Sequence, residues 1–445
     1  MTLKSIFKKI IPKRILLFYY QSLAYLAAFI YGHPSRKMVV IGVTGTSGKS
    51  TVVNLIGRIL EHAGFRVGLT STFNFKIAGQ EIVNKTRMTM LGRFALQKLL
   101  KEMLDAHCQY AIIETTSQGI VQSRHLGINY DIGVFTNLSP EHIESHGSFE
   151  KYRQAKQKLF QHLSKRKGKI INNKVVDKVI IVNVDDKNSD SFLKFEADKK
   201  YGYSSIKLSL PASRQESGIE IIKADEINLN SSGSRFMVNE VGFKLNLLEE
   251  FNIANALAAI CVALSQKIGL DVCRDALVGV EGIPGRMEIV FKGPFTIVVD
   301  YAHTPDQLEK VYQTLKSFNN SRLICVLGAT GGGRDKWKRP VLGKIAKEYG
   351  YYIIITNEDP YDEEPEKIID QVISGIEDSQ EMISQSRLFK MLDRGQAIKK
   401  ALSLAETGDI VIITGKGAEQ CIMGPRGEKI PWDDREIVKK ELKKL

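Results

Sequence analysis

Residues 38–60, MVVIGVTGTSGKSTVVNLIGRIL, constrain this chain more than any other stretch. A β-branched apolar run enters a Gly-rich turn that closes on Gly48-Lys49-Ser50, and a helical period follows at once. Strand, glycine loop and helix in that order make a phosphate-binding unit. Glycines let the backbone approach phosphate oxygens, while loop N–H groups and the helix N-terminus supply positive potential. Lys49 is placed to reach terminal phosphates, and the Ser50 hydroxyl is a ligand type that suits Mg²⁺. The strict pattern GxxxxGK[ST] is not met, because Val43 stands five positions before Gly48. The loop is instead TGTSGKST, with its first glycine at Gly45.

A chain of 445 residues exceeds a usual single core, so two or three domains are expected. Five cysteines, scattered and without a CxxC pair, argue against a disulfide framework or a zinc site and point to a reducing, cytoplasmic compartment. The formal charge of +13 fits nucleic acid, anionic lipid or a phosphorylated substrate. No helix-turn-helix, RNP-like or basic-aromatic motif supports nucleic acid, which leaves substrate phosphates or a membrane surface.

Residues 1–37 carry no acid: Lys4, Lys8, Lys9, Lys13 and Arg14 precede the apolar run Ile15 to Tyr31, and Arg36 and Lys37 follow it. The run lies at the lower limit for a bilayer span. Its basic start resembles a signal peptide, but no small-residue cleavage site follows and the phosphate loop begins almost at once, which speaks against export. Two readings fit. One is an interfacial helix at the inner face of a membrane, held by its apolar face and by lysines on anionic lipid; the other is a helix packed on the protein's own core.

Beyond the loop, strand-like runs alternate with helical stretches: YAIIET (110–115), DIGVFTNL (131–138) and VIIVNVDD (179–186). The alternation predicts an α/β fold, with a mainly parallel sheet in a phosphate-loop central domain over 38–285. Short polar strands over about 186–245 read as an antiparallel extension, and 247–270 as one long helical region. GIPGRME (282–288) reads as a hinge. A second series, FTIVVDYA, RLICVLGAT, YYIIITNED and DIVIITGKG, predicts a C-terminal Rossmann-like α/β domain over 286–445.

Several strand ends carry chemistry. Glu114 ends YAIIE and is either a Mg²⁺ ligand or a strand-terminating acid. In TNLSPEHIESHG, His142 and His146 lie four apart; with no third ligand they make a poor zinc site, whereas one imidazole beside carboxylates and phosphate suits a hard cation. Along SFEKYRQAKQKLFQHL, Phe149, Tyr152, Lys156, Phe160 and Leu163 share one helical face. Lys156 is either a snorkelling residue at the stripe's edge or a buried amine of depressed pKa, open to covalent modification or pairing with a metal-site acid. DYAHTPD, LGATGGGRDKWKRP, NEDPYDEEP and GKGAEQ put Asp300, Arg334, Lys336, Lys338 and Arg339 on one rim, a charge array for phosphoryl transfer. The acidic run from Asn357 is either a solvated loop or a socket for a cationic group.

In order, TGTSGKST, ETTSQG, TNLSPEHIESHG, YRQAKQKLF, NVDD, FNIANALAA, GRME, DYAHTPD, GGGRDKWKRP and GKGAEQ resemble the motifs of the Mur ligases, most closely their tripeptide-synthetase branch. The resemblance covers 38–445. It implies an ATP-dependent ligase that joins a muramoyl-peptide carboxylate to an amino acid through an acyl phosphate, in peptidoglycan precursor synthesis. By it, Gly45, Thr46, Ser47, Gly48, Lys49, Ser50 and Thr51 hold the ATP phosphates, and Ser50, Glu114 and His142 bind Mg²⁺. Lys156 is the lysine the family carbamoylates, which turns an inward cation into a metal-binding anion. Asn252 and Asn255 match adenine-side positions, Arg286 and Arg334 phosphate contacts, and Asp300 a ribose contact. Thr116, Ser117 and Arg124 match positions that hold the muramoyl peptide, although TTSQG stands where VSSHG is usual.

Three departures mark this chain within that resemblance. Only 37 residues precede the loop, where the family's tripeptide synthetases carry a uridine-nucleotide domain, so a lipid-linked acceptor stands beside a UDP-linked one. Glu358-Asp359-Pro360-Tyr361 replaces DNPR; without that arginine, and with acids around it, Asp359 favours a cationic side chain such as lysine. GKGAEQ lacks the histidine of GKGHE, leaving Glu419 as the amine contact. Other readings are a folylpolyglutamate- or cyanophycin-type ligase of the same superfamily, and a membrane-attached nucleotide-binding partner without turnover.

Overall fold

The computed structural model describes residues 12–86, 88–141, 143–206, 218–230, 233–247, 250–317 and 321–444. His142 lies outside the described residues. A nine-stranded sheet forms the first unit, in the order Ile219–Lys223, Lys199–Ser204, Val179–Asn183, Ile132–Phe135, Val39–Thr44, Tyr110–Glu114, Val67–Thr70, Asn74–Ile77, Gln80–Val83. The last two strands run antiparallel and the rest pair in parallel. Both faces are covered, which is why these strands read as continuous apolar runs. Ile41 and Val43 pack under helices Lys49–His62 and Phe251–Ser265. Val40, Ala111 and Ile113 face the opposite layer, with helices Arg93–Asp105 and Phe149–Ser164.

The polar stretch after 186 divides. Lys199–Ser204 and Ile219–Lys223 extend the main sheet in parallel, and only Asp225–Asn230, Gly233–Val238 and Val241–Leu245 form a separate antiparallel sheet. The expected long helix is two, Phe251–Ser265 and Leu270–Val278, because the chain turns at Lys267, which has φ +64°.

A six-stranded sheet forms the second unit, in the order Glu288–Lys292, Thr296–Val299, Ile410–Ile413, Leu323–Leu327, Tyr352–Thr356, Leu388–Met391. Its first strand is antiparallel and the others are parallel. Strand ends of both sheets meet at a shared cleft, the usual place for ligands in open parallel sheets.

Ahead of the first strand, helix Lys13–Ile30 packs Ala24, Ala27 and Ala28 inward, with Ala24 and Ala28 against the Gly127 turn. No helix of the described residues is long and apolar enough to cross a membrane. All five cysteines are free and buried.

Candidate active site

The phosphate loop rests on the neighbouring strand end. Gly48 takes φ +79° just before helix Lys49–His62, and a Cβ there would lie 2.3 Å from Asn255 Oδ1, so glycine is required. Thr46 N donates to Asn137 O (2.9 Å), Ser47 N to Asn137 Oδ1 (2.9 Å), and Thr136 Oγ1 to Ser47 O (2.6 Å). The loop is thereby held in place from beneath, while Lys49 Nζ folds back onto Thr46 O at 2.7 Å.

Ser50 Oγ donates to Glu114 Oε2 at 2.6 Å. Thr72 adds its N–H at 3.0 Å and its hydroxyl at 3.2 Å to the same carboxylate. In-register pairing of Val43 with Glu114 sets the acid beside the loop. Thr72 carries no signal in the sequence, since a threonine after a short strand looks like any turn residue. Among the described residues, no three His, Cys, Asp or Glu side chains gather to hold a metal.

Ser148 caps helix Phe149–Ser164 by accepting from Lys151 N. The helix turns Tyr152, Lys156, Phe160 and Leu163 inward. Lys156 is only 2% exposed, donates to Gly45 O at 2.5 Å and sits 4.5 Å from the Tyr152 ring centre. Burial, and then the nearby Lys49 charge, push its amine well below the ordinary lysine range. The lysine is buried rather than snorkelling, because the helix lies flat on the sheet and its stripe offers no route to water.

Lys49, Ser50 and Glu114 line one side of a cavity of about 720 Å³ that both units enclose, with Arg334, Lys338 and Glu358 on the other; Lys156 lies outside its lining. An adjoining cleft of about 440 Å³ takes in Asn252, Asn255, Arg286 and Asp300. Asn255 donates to Asn252 Oδ1 at 3.0 Å. The Asp300 carboxylate accepts from Met287 N (2.7 Å) and Ala302 N (2.6 Å), bracing the GRME turn. Burial raises its pKa, against the opposing pull of Arg286 and these N–H groups. The Arg286 guanidinium lies 4.6 Å from the Tyr301 ring centre.

Thr116, Ser117 and Arg124 line another part of the larger cavity. The Thr116 hydroxyl accepts from Gly119 N at 3.1 Å, capping helix Ser117–Val121, and Ser117 Oγ meets His146 Nε2 at 3.1 Å. Arg124 donates to Gln122 Oε1 at 2.7 Å and to Met90 O.

The expected acidic socket already contains a cation. Lys416, with no exposed side-chain surface, donates to Asp359 Oδ1 at 2.8 Å and to Glu419 Oε2 at 2.6 Å. Glu358 differs: its Oε1 accepts from Thr330 Oγ1 at 2.6 Å, whereas its Oε2 is buried with no hydrogen-bond partner. Gly415 (φ +104°) makes room for that oxygen, since a Cβ there would stand 2.2 Å away. The charged rim is smaller than the sequence suggests. Arg334 and Lys338 line the cavity, but Arg339 is 1% exposed and tied to Glu363 Oε2 (3.0 Å), Gln371 Oε1 (2.6 Å) and Thr330 O (3.1 Å). Lys336 pairs outward with Glu363 at 3.4 Å. Helix Lys338–Tyr349 begins there, and its first turn points Arg339 into the unit.

The two units are joined across the cavity. Asp335 accepts from Ile143 N (3.2 Å) and Glu144 N (3.0 Å), capping the short helix Ile143–His146 of the other unit. Glu144 Oε1 accepts in return from Lys336 N at 2.9 Å. Gln307 donates to Ser47 Oγ at 2.8 Å, and His303 Nε2 meets Glu141 Oε1 at 3.2 Å. Asp335 and Gln307 are site residues that the sequence reading missed; Asp335 sits within GGGRDKWKRP and looks like an ordinary loop acid.

Residues 43–263 match the Mur ligase middle domain, and residues 285–417 the Mur ligase glutamate ligase domain. The chain belongs to the Mur ligase family. This Mur ligase is 35% identical over 432 residues to the UDP-N-acetylmuramoyl-L-alanyl-D-glutamate--2,6-diaminopimelate ligase of Clostridium tetani, covering 96% of this chain and 82% of that protein. It is 36% identical over 436 residues to the UDP-N-acetylmuramyl-tripeptide synthetase of Roseiflexus sp., covering 95% and 82%. A solved UDP-N-acetylmuramoyl-L-alanyl-D-glutamate--2,6-diaminopimelate ligase superposes with TM-score 0.59 at 30% identity, over 92% of this chain and 79% of that one. The cavity of this Mur ligase lies between its two matched domains.

Proposed function

We propose that this Mur ligase uses ATP to join the carboxylate of a muramoyl peptide to the amine of an amino acid, in the cytoplasm, as a step of peptidoglycan precursor synthesis. One observation carries the reading: a single cavity holds a phosphate loop with the Ser50–Glu114 pair on one side and a carboxylate oxygen without a partner, Glu358 Oε2, on the other. ATP phosphates would lie along the amides of Gly45 to Thr51 and under Lys49, with Arg286 and Arg334 as further contacts. The base and ribose would occupy the smaller cleft, by Asn252, Asn255 and Asp300.

A hydroxyl beside a carboxylate is a donor set that fits Mg²⁺ once phosphate oxygens and water complete it, so Ser50, Glu114 and, from the sequence, His142 would hold the ion. It would supply charge neutralisation at the transferring phosphoryl group. The depressed basicity of Lys156 keeps a neutral amine available, the form that accepts CO₂ as a carbamate.

The acceptor carboxylate, held near Thr116, Ser117 and Arg124, attacks the γ-phosphorus as the bond to ADP breaks. The resulting acyl phosphate is then attacked by the incoming amine, phosphate leaves and the amide forms. Lys49, Lys338 and Arg334 face the developing negative charge, and the joined domains keep out the water that would hydrolyse the acyl phosphate. Because Lys416 already pairs with both Asp359 and Glu419, Glu358, whose Oε2 lacks a hydrogen-bond partner, is the best partner for a second ammonium, which favours lysine as the incoming amino acid.

The test is product analysis. ATP, Mg²⁺, a panel of amino acids and either UDP-linked or lipid-linked muramoyl dipeptide should yield ADP, phosphate and one amide-extended product by mass spectrometry. Phosphate release that ignores both co-substrates would sink the reading.

A further inference from the structure

Helix Lys13–Ile30 is amphipathic in the inverted sense. Its inward face is small, with Ala24, Ala27 and Ala28 buried. Its outward face carries the bulk: Ile15, Phe18, Tyr19, Tyr25, Leu26, Phe29 and Ile30 are exposed, Phe18 by 70% and Phe29 by 72%. Those positions recur at intervals of three and four around Ser22, so they form one continuous stripe along the helix. No charged residue interrupts it between Ile15 and Tyr31. A water-facing helix places such a stripe on the core, and this one turns it away.

Charge complementarity identifies what covers the stripe. Lys4, Lys8, Lys9, Lys13 and Arg14 precede it, Arg36 and Lys37 follow it, and residues 1–37 hold no acid. An apolar band with aromatic rings and lysines at its ends matches the acyl-headgroup boundary of an anionic bilayer. The helix also connects to the cavity. Arg93 donates to Tyr20 O at 3.0 Å, stacks 4.2 Å from the Tyr20 ring centre and donates to Gln122 O. Gln122 Oε1 in turn accepts from Arg124, which lines the cavity.

We infer that this helix seats the enzyme on an anionic membrane surface, with the Arg124 side of the cavity nearest the lipid, where a lipid-linked acceptor would enter. The orientation rests on the reading of Thr116, Ser117 and Arg124 as the acceptor side; the seating itself does not.

Vesicle sedimentation of the full chain, without nucleotide or acceptor, tests the seating separately from catalysis. Vesicles of one part phosphatidylglycerol to three parts phosphatidylcholine should pellet the protein, and pure phosphatidylcholine should pellet far less. Doubling Phe18→Ser with Phe29→Ser should weaken that binding about tenfold or more while leaving the thermal midpoint unchanged, since both rings lie outside the core. Wild-type protein that stays in the supernatant with anionic vesicles, or a double variant that binds as tightly as wild type, would overturn the inference. So would self-association in lipid-free ultracentrifugation that the double variant abolishes, because the stripe would then be covered by a second copy.

Discussion

At the proposed phosphate end of the cavity one carboxylate gathers several hydroxyl and amide donors, whereas at the proposed amine end one lysine is shared by two carboxylates. Lys49 Nζ lies on Thr46 O of its own loop at 2.7 Å, and Ser50 Oγ donates to Glu114 at 2.6 Å. Across the cavity Lys416 is clamped between Asp359 and Glu419. The proposed amine end must discriminate among amino acids, and there Glu358 Oε2 is the carboxylate oxygen that lacks a hydrogen-bond partner.

Lys156→Ala breaks the phosphate end and should cost the most, lowering ligase turnover on the order of a thousandfold. Coupled phosphate release reads this, and added bicarbonate should give no rescue; unchanged turnover would remove Lys156 from the mechanism. Lys416→Met should break the amine end differently, by leaving two carboxylates without their cation. A loss of about 3 kcal/mol in denaturant unfolding is expected, and a neutral result would mean the triad is not a structural clamp. Glu358→Gln sharpens the contrast, raising KM for the amino acid about tenfold with KM for ATP unmoved. If both constants moved together, the two ends would not be separable.

Smaller effects test the seam and its surroundings. Asp335→Ala removes one cap across the domains and should shift the open-closed balance about fivefold, read as a larger radius in solution scattering with ATP bound. An identical radius would make the cap incidental. Next to Arg124 in the chain, burial, followed by His162 and Lys158, lowers the His125 pKa from 6.5 to about 3. The unfolded chain therefore binds the proton first. Stability from this ring is full above 6.5 and falls as pH drops through that window toward 3, at most about 1.4 kcal/mol per pH unit. His125→Leu should flatten that slope in urea titrations and leave turnover untouched.

The fold's parallel strands were legible because both faces are buried, so Tyr110–Glu114, Val179–Asn183 and Ile410–Ile413 read as unbroken apolar runs. Short, half-exposed pairs such as Gln80–Val83 with Asn74–Ile77, or Lys174–Val176 with Lys169–Ile171, carry no such signature and went unseen. At the site, the loop glycines and strand-end acids announced themselves by position. Burial did not: whether Lys156 turned in, whether Arg339 reached the cavity, and which acids Lys416 would occupy depend on packing between segments far apart in sequence. The hinge motif marked a junction between domains, but not the Asp335 and Gln307 contacts that cross it.

The cap that Asp335 gives to helix Ile143–His146 has a consequence for timing. Four residues are too few to sustain a helix unaided, and the partner for their first N–H groups sits on the opposite domain. The short helix is therefore held in part by the opposite domain, and parting the domains would strip its cap. On the proposed function, a cap shared between domains would act as an interlock: nucleotide on an enzyme with parted domains would meet an incomplete site and would not be burned idly.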